Sequence, residues 1–520
     1  METYAVEMID VTKAFPGVVA NDRVSLAVRD GEAHAVLGEN GAGKSTLMSV
    51  LYGLYEADAG RIRIRGADAR IRSPNDAVAL GIGMVFQHFK LVRDYTVTEN
   101  IVLGMEPRTR FGHVDIRGAE RRVAELSERY GLAVDPKAKI EDLSVGAQQR
   151  VEILKTLYRD ADILILDEPS AVLTPQEVDE LMAVIRRLKG EGKTVILITH
   201  KLREIKAVAE RCTVLRRGRN VGTVQVAATD ESELAALMVG RAVNFTVDKG
   251  PAKPGEPVLE LKGLTVKGSR GHEAVKELSL TVRAGEIVGL AGVDGNGQSE
   301  LVRALAGIDR PSSGSIILKG RDITKAGVRE RIEVGLAHVP EDRHKHGLVL
   351  GMRLDENLAL KTFYKAPISK PGGALNFRVM AERAEGLIAQ FDVRAGKGPA
   401  SKAEDLSGGN QQKAIIAREL DLDPELLVVA QPTRGLDVGA IEYIHKRIVA
   451  ERDKGRAVLL VSFELDEVMA LCDRIAVISR GAIIGELDAA GADERYVGAM
   501  MAGVHPEDYK AAAAGEASHG

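Results

Sequence analysis

The chain has 520 residues, 45% of them hydrophobic and 28% charged, with 71 Lys and Arg against 75 Asp and Glu for a net charge of −4. That length calls for two or more domains, and the charge balance carries no polybasic signal for nucleic acid. Two cysteines, Cys212 and Cys472, build neither a disulfide framework nor a metal site and read as inert thiols.

The opening M-E-T-Y-A-V-E-M has no basic n-region or apolar h-region and does not read as a signal peptide. No apolar run reaches the ~18 residues needed to span a bilayer, so work at a membrane falls to a partner. V-S-L-A-V (24–28) alternates like a half-buried strand of an antiparallel subdomain. A-H-A-V-L (33–37) reads as a buried strand, followed by a glycine-rich loop and a helix from near Lys44. The polar, helix-rich stretch between Gln87 and Ser144 predicts a helical subdomain. I-L-I-L (163–166), a helix over 176–189, and T-V-I-L-I-T (194–199) continue the alternation of β and α. Such alternation implies a mostly parallel sheet covered by helices.

D-K-G-P-A-K-P-G-E-P (248–257) is punctuated by prolines and glycines and reads as a linker. Beyond it the layout recurs, with L-S-L-T-V (278–282) as the second antiparallel strand. P-I-S-K-P-G-G (367–373) reads as a loop that holds the residues added in the second copy. The expected organisation is a first domain over 1–245, a linker over 246–257, a second domain over 258–503, and a flexible tail over 504–520 with little to bury.

The repeat is exact at its landmarks. Gly38 to Gln87 and Gly292 to Glu341 are both 49 residues. Ser144 to Asp167 and Ser407 to Ala430 are both 23, and Asp167 to His200 and Ala430 to Phe463 are both 33. The second copy gains a net nine residues between Glu341 and Ser407.

The first copy carries complete phosphate chemistry. Gly38-Glu39-Asn40-Gly41-Ala42-Gly43-Lys44-Ser45, followed by Thr46, is a full phosphate-binding loop between a strand and a helix. Its glycines permit the tight wrap, and its N–H groups cradle phosphates at a helix N-terminus. Lys44 is placed to reach the β/γ-phosphates and Ser45 to ligate Mg²⁺. Asp167 and Glu168 end a buried strand; the first would hold Mg²⁺ and the second would polarise an attacking water. His200, at another strand end, suits contact with a γ-phosphate.

L-S-V-G-A-Q-Q-R (143–150) and L-S-G-G-N-Q-Q-K (406–413) resemble the signature motif of ATP-binding-cassette ATPases. With Gln87 at the Q-loop position, the resemblance covers about residues 3–245 and 257–503. It implies two tandem α/β P-loop cassettes, each with a parallel-sheet core, an antiparallel β subdomain and a helical subdomain. It implies ATP and Mg²⁺ as cofactors, Phe15 stacking on adenine, and Ser45, Gln87 and Asp167 about the metal. Lys44, Gln87, Glu168 and His200 are then the catalytic set. It further implies that Ser407, Gly408 and Gly409 complete the first cassette's nucleotide site from across a head-to-tail pair. The departures are Val145 for glycine, Ala147 and Asn410 for glutamine, and Thr174 for the D-loop aspartate.

Against that pattern the second copy has Gln298 for the lysine, Ala430 for the Walker B aspartate, Gln431 for the catalytic glutamate and Phe463 for the switch histidine. Its adenine-stacking position falls near Ser269, with no aromatic. The losses gather in one composite site and spare the other, which predicts a single hydrolytic centre.

V-P-E-D-R (339–343) and P-T-R-G-L-D-V-G-A (432–440) resemble ATPases of simple-sugar and nucleoside importers, nearer the nucleoside branch that works with basic-membrane-protein lipoproteins. The resemblance implies a peripheral protein on the cytoplasmic face of the membrane. Its implied partners are two integral-membrane permeases, unlike each other, and indirectly a substrate-binding lipoprotein. A sugar importer ATPase is the alternative. A ribosome-associated double cassette fits less well, because the linker is short and only one catalytic glutamate is present. A DNA-repair cassette protein lacks support from zinc-ligand cysteines or heptads.

Overall fold

The computed structural model describes residues 3–507 and 509, apart from 17, 88, 171, 172, 174, 242–246, 248, 269, 270 and 437. The chain falls into two compact units, Met1–Val243 and Asn244–Gly520.

Each unit holds two sheets. In the first unit, Val18–Arg29, Tyr4–Phe15, Ala59–Ile64 and Ala67–Ala69 form an antiparallel sheet in that order. A six-stranded sheet runs Arg219–Gln225, Arg211–Arg216, Ala33–Leu37, Thr194–Ile198, Ile163–Asp167, Ile82–Val85. Its first pair is antiparallel and the rest are parallel. Ala33–Leu37, Ile163–Asp167 and Thr194–Ile198 are buried at every position. Apolar runs without alternation are what a sheet covered on both faces requires. One face packs on the helix Lys44–Leu51 and the antiparallel sheet through Leu47, Met48, Ile165 and Ile198. The other packs on Val145–Tyr158 and Pro175–Gly190 through Leu154, Leu164 and Ile185. Each such fully buried side chain contributes about 1.5–3 kcal/mol of transfer free energy.

The second unit repeats this design. Its six-stranded order is Leu336–Val339, Leu426–Ala430, Ala457–Ser462, Glu286–Ala291, Arg474–Ser479, Ala482–Asp488. The repeat extends to backbone strain. Among the described residues, ten of the twelve non-glycine residues with left-handed φ form matched pairs, Arg23 and Glu277, Arg65 and Lys319, Asp160 and Asp423, Glu168 and Gln431, Arg217 and Arg480, while Asp10 and Asp392 stand outside the pattern.

The helical subdomain lies where expected, with helices Val97–Val102 and Ile116–Tyr130 in the first unit and Leu354–Ala359 and Phe377–Gln390 in the second. The nine added residues are not confined to 367–373. Asn100 Oδ1 accepts from the Val92 amide, and Asn357 Oδ1 from the Val349 amide. The bridges Thr96–Lys139 and Arg108–Val114 recur as Arg353–Lys402 and Ser369–Leu375. These anchors place three added residues before Val349, four more before Ser369, and two more before Lys402. Insertions fall in the surface connections because the anchored helices cannot absorb them without losing their buried faces.

The linker segment 249–256 has no regular structure and rests on the second unit. Lys249 Nζ donates to Cys472 O at 2.5 Å, and Arg452 donates to Gly250 O at 3.0 Å. In the described part of the C-terminal stretch, residues 504, 505 and 507 are exposed, Pro506 and Tyr509 are half-buried, and the Tyr509 ring centre lies 5.0 Å from that of Tyr496; the rest of the expected tail lies outside the described residues. Both cysteines are free and buried, and burial pushes the Cys212 thiol up to about 12.

Candidate functional site

The first unit brings its expected residues together at the C-terminal edge of the parallel sheet. The strand Ala33–Leu37 ends in the loop at Gly38, and the helix Lys44–Leu51 follows. Gly41 and Gly43 take φ of 80° and 97°. A Cβ on Gly43 would lie 2.3 Å from Ala20 O, and one on Gly38 would lie 2.4 Å from Leu215 O. Both positions therefore need glycine for space, and Gly43 needs it for conformation as well. Ala42 is buried in this wrap, while Asn40 and Gly41 are exposed and Glu39 and Thr46 are half-buried.

Lys44 is 5% exposed, and its Nζ donates to Gly38 O at 2.6 Å and Glu39 O at 3.0 Å. Burial lowers its pKa, against the pull of Glu168 and Asp167. Ser45 Oγ donates to Asp167 Oδ1 at 3.2 Å. Burial raises Asp167 to about 6, with the Glu168 charge adding to it. Gln87 Nε2 donates to Glu168 Oε2 at 2.9 Å, and His200 Nδ1 lies 3.3 Å from Glu168 Oε1. Burial pushes the Glu168 carboxyl up, but the His200 hydrogen bond, with the charges of His200, Lys44 and Lys201, holds it below its ordinary value.

This arrangement fits a nucleotide polyphosphate with Mg²⁺. Two hard oxygen donors, Ser45 and Asp167, meet at the mouth of the loop, as Mg²⁺ requires. The buried cation of Lys44 sits under a loop whose amides open at a helix N-terminus.

Phe15 closes the strand Tyr4–Phe15 outside the core. It is half-buried, edge-on to Tyr55 with centroids 5.2 Å apart, and Lys13 Nζ lies 5.7 Å from its ring centre. Ser407 is exposed ahead of the helix Gly408–Leu420 in the second unit, with Gly408 and Gly409 as that helix's first residues. Asn410 Nδ2 donates to Ser407 Oγ at 2.8 Å. In the other signature, Ser144 Oγ accepts from the Ala147 amide, and Val145 is 40% exposed. Thr174 and Ser269 lie outside the described residues.

Two groups escaped sequence reasoning. Asn21 is fully buried and its Nδ2 donates to Gly43 O at 3.1 Å, holding the loop from the neighbouring sheet. Glu204 accepts from Thr199 Oγ1 at 2.8 Å and from Ser170, tying the Asp167–Ser170 turn to the His200 segment. A lone Asn in a strand and a Glu in a helix carry no motif. The repeat held the one available signal, since Thr433 donates to Glu467 at the matching positions.

The second unit keeps the frame and changes the groups. Gln298 adopts the pose of Lys44, its Nε2 donating to Val293 O at 3.3 Å. Gln431 Oε1 accepts from the Phe463 amide at 3.4 Å. Ala430 ends the strand where Asp167 stands in the first unit.

Comparison with known proteins agrees. The ABC transporter family matches residues 21–171 and 275–434. The nucleoside import ATP-binding protein NupA of Lactococcus lactis subsp. cremoris is 56% identical over 96% of this chain and 98% of its own length. The guanosine import ATP-binding protein NupO of Bacillus subtilis is 55% identical over the same shares. The glucose import ATP-binding protein TsgD13 of Haloferax volcanii is 48% identical over 95% of each chain. The two nucleoside-import proteins are thus nearer than this sugar-import relative. Family and fold imply ATP- and Mg²⁺-dependent catalysis and fit the ATPase of an importer complex with membrane permeases. Among the described residues no helix is long and apolar enough to cross a membrane. The chain belongs to the ABC transporter family, as a tandem two-cassette subunit that binds and hydrolyses ATP.

Proposed function

We propose that this chain energises nucleoside uptake through two partner permeases, hydrolysing ATP at one centre built on its first cassette. The observation that carries the single centre is the unequal carboxylate chemistry of the two strand ends. Asp167-Glu168 in the first unit are matched by Ala430-Gln431 in the second. Nucleoside as cargo is supported by the greater identity to NupA and NupO than to TsgD13. A sugar cargo is the second reading, favoured by the 48% identity to the glucose-import protein. In either case the protein works peripherally, on the cytoplasmic side of the membrane.

In this proposal the loop amides and Lys44 bind the β- and γ-phosphates, and Phe15 carries the adenine. Ser45, Asp167 and Gln87 would hold Mg²⁺, which supplies charge neutralisation on the phosphates. Glu168, kept ionised by its neighbours, takes the proton of the attacking water. His200 orients Glu168 through the 3.3 Å contact. Ser407, Gly408 and Gly409 are assigned, on family resemblance alone, to the γ-phosphate of that nucleotide.

Glu168→Gln is expected to cut steady-state ATPase activity by about 10²–10⁴-fold while ATP binding persists, the scale of a positioned proton acceptor. Gln431→Glu alone is expected to raise turnover little, because Gln298, Ala430 and Phe463 remain. Substantial residual turnover in Glu168→Gln, measured as phosphate release by the chain with its permeases, would contradict the single centre. Uptake assays with a nucleoside and sugar panel decide the cargo.

A further inference from the structure

The second unit has lost its Walker B carboxylate, yet a carboxylate still meets the loop serine. Ser299 Oγ donates to Glu341 Oε2 at 2.6 Å. In the first unit the matching serine bonds Asp167 on the central strand end, and Gln87, the neutral counterpart of Glu341, bonds Glu168 instead. Compared with the first unit, the acid stands at the neighbouring strand end: Ala430 occupies the aspartate position and Glu341 the glutamine position, so a carboxylate oxygen still lies beside the matching hydroxyl.

The surroundings point to a ligand. Gln298 is 2% exposed and Gln431 is 5% exposed, and among the described residues Gln298 Oε1 and Gln431 Nε2 each lack a hydrogen-bond partner. An unpaired buried amide group costs roughly 1–3 kcal/mol, so such groups call for a partner. Gln298 opens the helix Gln298–Ala306 under the loop, and Gln431 follows the end of the strand Leu426–Ala430. The loop keeps its phosphate-binding shape, with Gly295 and Gly297 at φ of 88° and 102°. The other carboxylate oxygen, Glu341 Oε1, accepts from Arg434 Nη1 at 3.3 Å, which returns one cation to a site that lost its lysine.

We infer that Ser299 and Glu341 hold a divalent cation with a nucleoside triphosphate in the second cassette, as a retained site without hydrolysis. Gln431 and Phe463 stand where the first site has Glu168 and His200, and the Glu341 carboxylate is engaged by Ser299 and Arg434, so the water lacks a positioned proton acceptor and the bound triphosphate persists. The inference rests on the nucleotide reading of the first site only in that both cassettes share one loop design.

Mn²⁺ tests it, counted by electron paramagnetic resonance on the full chain in a Glu168→Gln background with excess ATP. Two Mn²⁺ per chain are expected. Glu341→Ala should remove one, weakening it at least about tenfold, the scale of a disturbed metal contact. Asp167→Ala should remove the other. Glu341→Gln keeps shape and hydrogen bonding to Ser299 but loses the charge; it should weaken the same Mn²⁺, and Glu341→Asp should recover part of it. One Mn²⁺ in the parent, lost with Asp167→Ala and indifferent to Glu341, overturns this inference and leaves the first site standing. Two that survive both Glu341→Ala and Glu341→Gln also overturn it. None in the parent overturns both readings.

Discussion

Glu168 and Gln431 have φ of 45° and 47°, a region that costs a side-chain-bearing residue about 1–3 kcal/mol. Each amide donates to the adjoining strand, to Ile198 O at 2.9 Å and Val461 O at 2.8 Å. The strained turn is therefore part of the architecture, and the difference in chemistry resides in the side chain alone. The loop glycines separate shape from chemistry in the same way. A Cβ on Gly43 would strike Ala20 O at 2.3 Å, and one on Gly297 would strike Ala274 O at 2.2 Å. Gly43→Ala and Gly297→Ala are both expected to lower the melting temperature, by similar amounts, since each adds a left-handed alanine and a backbone clash. Only Gly43→Ala is expected to reduce ATPase activity, by at least about tenfold, because about 1.4 kcal/mol of misplaced loop already costs that factor. Thermal melts beside phosphate-release rates check the pair. Motif residues were legible because each needs a fixed residue type. Asn21 was not, because its role is to reach Gly43 O from another sheet, and nothing local in the sequence encodes that.

Among elements, the parallel strands were legible from their unbroken apolar runs, and the signature helices from the serine ahead of each. The turn Arg343–Gly347 was not. It is a π-helical turn made by the three residues added before Val349, and long-range bonds hold it. Asp342 accepts from the His344 and Lys345 amides, His344 Nε2 lies 2.9 Å from Gln411 Oε1, and Arg418 donates to Gly347 O. No periodicity announces a turn built from tertiary contacts. The neighbouring strand Leu336–Val339 carries His338, which burial and the Lys361 charge lower to about 4, where the first unit has Met84. The unfolded chain takes up the imidazole proton first, near pH 6.5, so stability is lost as pH falls from there toward 4. The full effect is about 3 kcal/mol. His338→Met is expected to flatten the pH dependence of the second unit's unfolding by that order. Denaturant titrations at pH 7 and pH 4.5 measure it, and equal slopes for both proteins would refute the assignment.

At the scale of the whole molecule, the repeat was legible in full, because spacing between motifs survives wherever buried strands and helices fix it. Beyond the exchanged site residues, what distinguishes the copies lies in the connections, where length and composition are free to drift. Those connections include the segments 88–101, after Gln87, and 342–360, after Glu341, where the family resemblance implies that permeases dock. In the first unit Phe89 is half-buried and Tyr95 is 42% exposed. In the second, His344, Lys345 and His346 are exposed on the added turn, and Met352 is 40% exposed. An aromatic surface and a basic one do not suit the same partner helix, since charge complementarity that favours one penalises the other. In the proposed transporter, two unlike permeases, one on each cassette, would satisfy both surfaces. Cysteines substituted for Tyr95 and Met352, one at a time, are then expected to crosslink to different permease subunits in the assembled transporter. Cys212 and Cys472 will not compete, because both are buried. Capture of the same permease with equal yield from both positions would mean a symmetric pair, and the difference between the surfaces would then have to serve something other than partner choice.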